Sequence, residues 1–553
     1  MNELGDWSEV SPIGDLLVRG ARLHPDRDAL VLPGARYTYA EVLDRALTVA
    51  RGLAGAGVAR GDHVGLLAGN GIELVEGLFG VALCGAVSVP LHARHKAAEI
   101  GYIVANAELT AVLTTADDDE YVDLTEIIRT ALPSLGDAAD PLRLALEEAP
   151  RLRAAALLCG PARAGFAGRA ELDRLAAAVA PAAIDEARRS VRVRDTGVLL
   201  YTSGTTAHPK GCLLSHEAMT RGPVQRARHR FSSAEHDVTW GAGPLFHIGS
   251  LAPFLGVIGT AGTYVTDVAF DPDRALELMA AEGVTAAWPW FPAVVQGLVD
   301  HPAFDPARLD RLRAMLLIGP PALHRRVGAA LPDVEVMQAC GMTETAGLYA
   351  LSDRDEPLES RAEAQGRPIP GVEVRIVDPE TGADLAPGEV GEILVRGYCV
   401  MDGYYADPQR TANTLDADRW LHTGDLYRQT EDGRLIFNGR IKDMLKVGGE
   451  NVAALEVEAF LCGHPAVKIA EVVGVPDSRL DEVPVAFVEL RAGASVEPEE
   501  LVEWCRGRIA SYKVPRAVHV ITAEDWPMSA TKIDKRALRQ RLADISDRVL
   551  SPR

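Results

Sequence analysis

Cysteine is scarce in this sequence and shows no pairing pattern. The seven that occur, Cys84, Cys159, Cys212, Cys340, Cys399, Cys462 and Cys505, are scattered and never stand in a C-x-x-C spacing. That excludes a dense disulfide framework and the usual zinc patterns, and it suits a reducing cytosol, so a cytoplasmic protein is expected. Basic residues are in deficit too. The 57 Lys and Arg face 78 Asp and Glu, a formal charge of −21. This works against binding a nucleic-acid backbone, where Lys and Arg must displace counterions, so no nucleic acid is expected as a partner. A local basic pocket for a small anion stays open. No apolar run has the form of a spanning helix, which needs about 20 predominantly apolar residues. Residues 77–91 are short and hold Pro90, and residues 240–266 hold His247, two prolines and several glycines. No membrane span is expected. The opening MNELGDWSEV has neither the basic start nor the apolar stretch of a secretory leader. Fixed-period repeats and low-complexity tracts are absent. So is a zinc-protease motif, because His216-Glu-Ala-Met-Thr lacks the second histidine, and no G-x-S-x-G elbow stands near Ser203.

What is present reads as an α/β protein. At roughly 150 residues per domain, 553 residues allow about three or four folding units. Residues 63–67, 72–83 and 86–89 form a strand–helix–strand pattern. Similar alternation at 197–201, 262–265, 284–287 and 313–318 implies largely parallel sheets with helices on both faces. Residues 154–159 read as one more strand. From about 371 the pattern becomes antiparallel, at 372–377 and 392–396. After a break near 438–443 comes a compact α+β pattern: helix 453–461, strands 469–475 and 483–490, then helix 498–510 with Leu501, Trp504, Cys505 and Ile509 on one face. The expected division is a large domain, 1–441, whose last part from about 371 is β-rich, and a small mobile domain, 442–553.

Five segments carry chemistry. Tyr201-Thr-Ser-Gly-Thr-Thr-Ala-His-Pro-Lys-Gly211 runs from a strand into a loop of hydroxyls and glycine, with Lys210 at its far side. Such donors suit polyphosphate oxygens, and an ordinary polar turn is the plainer alternative. The segment is not the common nucleoside-triphosphate loop, which needs G-x-x-x-x-G-K-[ST]. In Gln338-Ala-Cys-Gly-Met-Thr-Glu-Thr345, Glu344 can hold a divalent cation and Thr343 can donate to a phosphate; a helix cap is the alternative. Trp420-Leu-His-Thr-Gly-Asp-Leu-Tyr427 sets Asp425 after a tight turn, where it can accept from two ribose hydroxyls or simply close the turn. The fourth segment is Asn438-Gly-Arg-Ile-Lys-Asp-Met-Leu-Lys-Val-Gly-Gly-Glu-Asn451. The fifth, Met528-Ser-Ala-Thr-Lys-Ile-Asp-Lys535, brings two lysines near the C-terminus, where a lysine is normally solvated and idle.

In order, spacing and residue type, these five segments together resemble the adenylate-forming superfamily. It includes acyl- and aryl-CoA synthetases, peptide-synthetase adenylation domains and beetle luciferases. The resemblance extends from about Leu16 to Leu538. It implies an enzyme in which a carboxylate attacks the α-phosphorus of ATP, giving an acyl adenylate, after which a thiol, usually of coenzyme A, displaces AMP. It also implies ATP, Mg²⁺ and coenzyme A as the small molecules used, a small carboxylic acid as the partner, and leaves a homodimer open. By resemblance, Thr202, Ser203, Gly204, Thr205, Thr206 and Lys210 hold the β- and γ-phosphates. Thr343 contacts the α-phosphate and Glu344 binds Mg²⁺. Asp425 takes the ribose with Arg440 nearby, and Gly319-Pro320-Pro321 and Gln338-Ala339-Cys340 flank the adenine. Lys532 serves adenylation, Lys442 is the hinge, and Gly448, Gly449 and Glu450 serve the thiol step.

The chain departs from the usual pattern at Ala207 and His208 in the phosphate loop, at Cys340 in place of an aromatic ring, at Gly319-Pro-Pro321, and at Thr531 in place of glycine. None removes a charged catalytic group, but they leave room for another acceptor: a carrier-protein thiol, an amine or nitrite. A non-catalytic nucleotide sensor is disfavoured because Lys210, Glu344, Asp425 and Lys532 are all retained. No carrier domain is expected after Lys532. For the acyl pocket, resemblance points to His247, Trp288, Trp290 and Phe291, with core packing as the alternative for each ring. Pro244-Leu-Phe-His-Ile248 is similar to acyl- and aryl-CoA ligases, favouring an acid without an α-amino group.

Overall fold

The computed structural model describes residues 10–93, 95–116, 122–202, 209–231, 236–447, 450–477, 480–529 and 532–550. Contacts divide the chain into two compact units, Met1–Glu373 with Val395–Leu421, and Val374–Leu394 with His422–Arg553.

The first unit is built on two seven-stranded sheets. One runs in the order Glu335–Met337, Ala314–Leu317, Ala286–Trp290, Val238–Gly241, Thr263–Val265, Asp28–Leu32 and Ala35–Thr38. Every pairing is parallel except the last. The other runs Gly403–Tyr404, Lys210–Ser215, Thr196–Thr202, Val87–Pro90, His63–Leu67, Ala111–Thr115 and Ala154–Cys159. It is parallel from Thr196–Thr202 onward, with its first two pairings antiparallel. The first strand–helix–strand unit forms as the sequence implies, with Ile72–Leu83 crossing between parallel strands whose register sets His63 beside Val87 and Leu66 beside Pro90. That helix is mostly apolar and buried everywhere except at Glu73, as a helix covered on nearly every side requires, and its buried Glu76 is paired with Arg45 and Arg169. Helices start where their caps predict. Thr38 and Glu41 form a capping box for Tyr39–Gly55, and Ser215 accepts from Ala218 N–H at the start of His216–Arg226.

His216 fastens this unit internally. Its Nδ1 accepts from Ile13 N–H at 3.2 Å, and the ring is 1% exposed. Burial pulls its pKa from 6.5 to about 4, against a partly offsetting attraction to Asp195. The unfolded chain therefore takes up this proton below pH 6.5 while the folded one refuses it until about 4. Stability is lost as pH falls through that window, by about 3 kcal/mol once the shift is fully expressed. His216→Gln should flatten this part of the profile when urea melts at pH 7 and pH 4.5 are compared. Parallel profiles for the two proteins would mean the ring protonates freely in the fold.

The second unit contains most of a four-stranded sheet, Val372–Val377, Gly391–Gly397, Leu421–Gln429 and Leu435–Arg440, in that order, and a five-stranded sheet built on the long antiparallel pair Val467–Asp477 and Asp481–Leu490. Its core gathers Val452, Val457, Leu461, Val472, Val488, Leu501 and Cys505. One sequence expectation is shortened. The helix read as 498–510 is Pro498–Cys505, because Arg506 is already extended and Gly507 turns left-handed at φ 68°.

Candidate active site

In open α/β sheets, ligands bind outside the carboxyl ends of parallel strands. The first sheet brings four sequence-selected segments to that end. Residues 242–250 follow Val238–Gly241, Trp290-Phe291 closes Ala286–Trp290, Gly319-Pro-Pro321 follows Ala314–Leu317, and Gln338-Ala-Cys340 follows Glu335–Met337. Gln338, only 2% exposed, joins the last two. Its Nε2 donates to Gly319 O at 2.8 Å, so the 319–321 turn and the 338–340 strand are braced together, with Cys340 and Ala339 buried beside it.

The ring cluster is held under strain. Trp290 sits at φ 38°, a region where a bulky side chain is a genuine outlier, and such strain concentrates at functional sites. Its indole donates to Ser250 Oγ at 3.3 Å and stacks on Phe291 with ring centroids 3.5 Å apart. His247 lies 4.8 Å from Trp290 between ring centroids and caps the helix Ile248–Gly259. Its Nδ1 accepts from Gly249 N–H at 3.0 Å, so the neutral ring carries its proton on Nε2. Trp288 is 5% exposed, donates to Gly249 O at 3.0 Å and packs edge-on against Phe231. Asn70 secures the loop before His247, donating to Gly243 O at 3.0 Å and accepting from Leu245 N–H at 2.8 Å.

The charged centre is more compact. Thr202 and Lys210 are register partners at the end of the antiparallel pair Thr196–Thr202 and Lys210–Ser215 that the intervening segment joins. Ser203, Gly204, Thr205 and Thr206, with Ala207 and His208, lie outside the described residues. Lys210 Nζ is 2.8 Å from Glu344 Oε1. Glu344, 4% exposed, stands in the short turn Thr343–Thr345, which Ala346 closes at φ 49°. Its backbone carbonyl accepts from Met401 N–H at 2.8 Å. Tyr404, which the motifs did not indicate, completes the group. Its hydroxyl meets Lys210 Nζ, donates to Glu344 Oε1 at 2.9 Å, and its ring lies 4.4 Å under the same ammonium. Burial and the Glu344 carboxylate drive the Tyr404 pKa far up, so the phenol stays a donor. Among the described residues, both of these partners sit on Oε1 of Glu344.

The second unit positions the remaining candidates. Gly424 turns at φ 71° and donates its N–H to Glu392 Oε1 at 2.9 Å. Asp425 then pairs in register with Arg440, Oδ1 to Nε at 2.9 Å. Glu392 is a second residue the motifs missed; it also holds His422 Nδ1 at 3.0 Å. Lys442 lies exposed in the turn Ile441–Asp443. Glu450 begins the strand Glu450–Ala453, while Gly448 and Gly449 lie outside the described residues. Lys532 begins Lys532–Ile533, the partner of Met528–Ser529. Lys535 is not idle, since it is buried against Glu458 and lies 3.4 Å from Glu471.

Comparison with known proteins places this geometry. The family described as AMP-binding enzyme matches residues 17–405, and the AMP-binding enzyme C-terminal domain matches residues 456–532. The feruloyl-CoA synthase of an Amycolatopsis species is 34% identical, over 92% of this chain and 94% of the relative. A mitochondrial medium-chain acyl-CoA ligase of Mus musculus is 29% identical, over 96% and 87% respectively. The structure of ATP-bound MatB from Rhodopseudomonas palustris superposes with a TM-score of 0.80 at 26% identity, covering 96% of this chain and 99% of MatB. No helix among the described residues is long and apolar enough to cross a membrane. The chain belongs to the AMP-binding, adenylate-forming enzymes, within their AMP-forming acyl-CoA ligase family.

Proposed function

We propose that this enzyme condenses a carboxylic acid with coenzyme A at the expense of ATP, in two steps. A carboxylate oxygen attacks the α-phosphorus and the bond to pyrophosphate breaks. The thiol sulfur then attacks the acyl carbon of the adenylate, its proton leaves, and AMP departs. The observation that carries this reading is the buried Glu344 carboxylate with Lys210 at 2.8 Å, set where the hydroxyl-rich loop 203–208 begins and ends. Phosphoryl transfer asks mainly for positioning and charge neutralisation, which this cluster supplies.

In this reading Lys210, Thr202 and the loop take the β- and γ-phosphates, and Thr343 takes the α-phosphate. Tyr404 fixes the Lys210–Glu344 ion pair in place, its hydroxyl on both partners and its ring beneath the ammonium. The donor set fits Mg²⁺, which commonly takes one or two carboxylates plus phosphate oxygens: Glu344 provides one buried carboxylate, and no cluster of three His, Cys, Asp or Glu is found among the described residues. A bound Mg²⁺ would neutralise phosphate charge. Asp425, oriented by Arg440, accepts from the ribose hydroxyls. Gly319-Pro-Pro321 and Gln338-Ala-Cys340, braced to one another, flank the adenine. His247, Trp288, Trp290 and Phe291 border the acid. Residues 442–553 act as the mobile part, turning at Lys442 so that Lys532 serves the first step and Gly448, Gly449 and Glu450 the second. Such gating at a hinge is common where one site must complete two different constellations.

The names of the feruloyl-CoA synthase and of the medium-chain acyl-CoA ligase support coenzyme A as acceptor. A panel of carboxylic acids with ATP and Mg²⁺, followed by mass spectrometry with and without coenzyme A, tests this. Coenzyme A is expected to speed turnover and to appear as the thioester of the best acid. If it changes nothing while nitrite or an amine drives AMP release, the second step is wrong and the first still stands, because it rests on other residues.

A further inference from the structure

One buried carboxylate holds the turn that presents Asp425. In the four-stranded sheet, Leu421–Gln429 lies between Gly391–Gly397 and Leu435–Arg440. Glu392, on the first of these neighbours, is 8% exposed. Its Oε1 accepts from Gly424 N–H at 2.9 Å, and its Oε2 from His422 Nδ1 at 3.0 Å. An ionised carboxylate only accepts, so the neutral His422 ring carries its proton on Nδ1. Ile393, next along the same strand, accepts at its carbonyl from Thr423 Oγ1 at 2.7 Å. That hydroxyl in turn accepts from Asp425 N–H at 3.1 Å. Residues 422–425 are thus tied one after another to Glu392 and Ile393, directly or through Thr423.

Two features mark this arrangement as more than packing. Burying a carboxylate is costly unless it is well paired. Among the described residues Glu392 meets neither Lys nor Arg, only a backbone N–H and a histidine. The backbone it holds is also a special one. Gly424 stands at φ 71°, in the left-handed region that residues with a side chain rarely enter. A methyl group on Gly424 would meet no atom within 4 Å, so the conformation and not lack of space asks for glycine there. On its other flank Asp425 meets Arg440, Oδ1 to Nε at 2.9 Å. The carboxylate assigned to the ribose is therefore set between the turn that Glu392 holds and the guanidinium of the next strand.

We propose that Glu392 is a positioning residue for nucleotide selection: by holding the 422–425 turn it sets Asp425 to read the ribose hydroxyls. This rests on the ribose role proposed for Asp425 above. It is tested by titration calorimetry, which needs no acid, with ATP and with the ATP analogue lacking both ribose hydroxyls, on the wild type, Glu392→Met and Glu392→Gln. The wild type should bind ATP roughly 10–100-fold more tightly than the analogue, the worth of a hydrogen bond to a charged group. Glu392→Met fills a similar space without an acceptor. It should weaken ATP about tenfold and leave the analogue near wild type, so that the discrimination shrinks. Glu392→Gln should restore most of it, because its amide oxygen still accepts from Gly424 and its amide N–H can donate to the other tautomer of His422. Equal weakening of both nucleotides, unchanged discrimination in Glu392→Met, or a glutamine variant as poor as the methionine one overturns the assignment. Should Glu392→Met fail to fold, Gly424→Ala decides: it disturbs the same turn without a clash, so discrimination should fall in the same way, and full retention overturns the proposal. A wild type that binds both nucleotides alike removes the ribose role of Asp425 and this proposal with it, whereas no binding of ATP at all removes the activity beneath both.

Discussion

Lys532→Ala is expected to stop pyrophosphate release while leaving transfer from a chemically supplied acyl adenylate to coenzyme A close to wild type. In the proposed first step, negative charge builds on the phosphoryl oxygens as the carboxylate attacks, and the ammonium assigned to Lys532 would counter it as it develops. Removing one such electrostatic partner costs roughly 10²–10³-fold or more. The fold distinguishes the two lysines of this segment. Lys535 is 16% exposed and committed to Glu458 and Glu471 inside the second unit. Desolvation lowers its pKa, and the two carboxylates more than reverse this. Lys535→Ala should therefore act on folding, leaving buried carboxylates unpaired at about 3–5 kcal/mol, with adenylation and transfer falling together. Pyrophosphate release near wild type in Lys532→Ala would show that another group does this work.

The difference between these lysines illustrates what was legible beforehand. Lys210, Glu344, Asp425 and Lys532 stand in short contiguous segments that only together carry the family resemblance, and the alternation of apolar runs exposed the parallel sheets. The structure adds what arrives from far along the chain. Tyr404 reaches Lys210 and Glu344 because Gly403–Tyr404 pairs with Lys210–Ser215 across about 190 residues of sequence, and nothing around Gly403 announces that pairing. Glu392 meets Gly424 in the same way, from a neighbouring strand. Trp288, Pro289 and Trp290 lie beyond the strand read at 284–287, and proline is rare inside strands, yet they complete the parallel strand Ala286–Trp290 with a register shift between Ala287 and Trp290.

Glu344→Gln should lower kcat/KM by about 10²-fold and weaken the apparent affinity for Mg²⁺. Breaking a buried ion pair at one partner costs roughly 3 kcal/mol or more; the charge holds Lys210 at 2.8 Å, and in the proposed reading its other oxygen also serves the cation. Glutamine keeps the shape of the side chain, so the turn Thr343–Thr345, fixed by Thr345 Oγ1 accepting from Met342 N–H at 3.1 Å and donating to Gly347 O at 2.7 Å, should survive. Tyr404→Phe separates the two duties. It keeps the ring beneath the ammonium and removes only the hydroxyl, a hydrogen bond to a charged group worth about 1.5–3 kcal/mol, so activity should fall about tenfold or somewhat more with little change in the Mg²⁺ concentration needed for half-maximal rate. Steady-state rates over a Mg²⁺ titration, with melting curves for each variant, make the comparison. A Glu344→Gln enzyme with an unaltered Mg²⁺ requirement would move the cation to another ligand. A Tyr404→Phe enzyme that needs much more Mg²⁺ would place the tyrosine, through the carboxylate it orients, in the cation site itself.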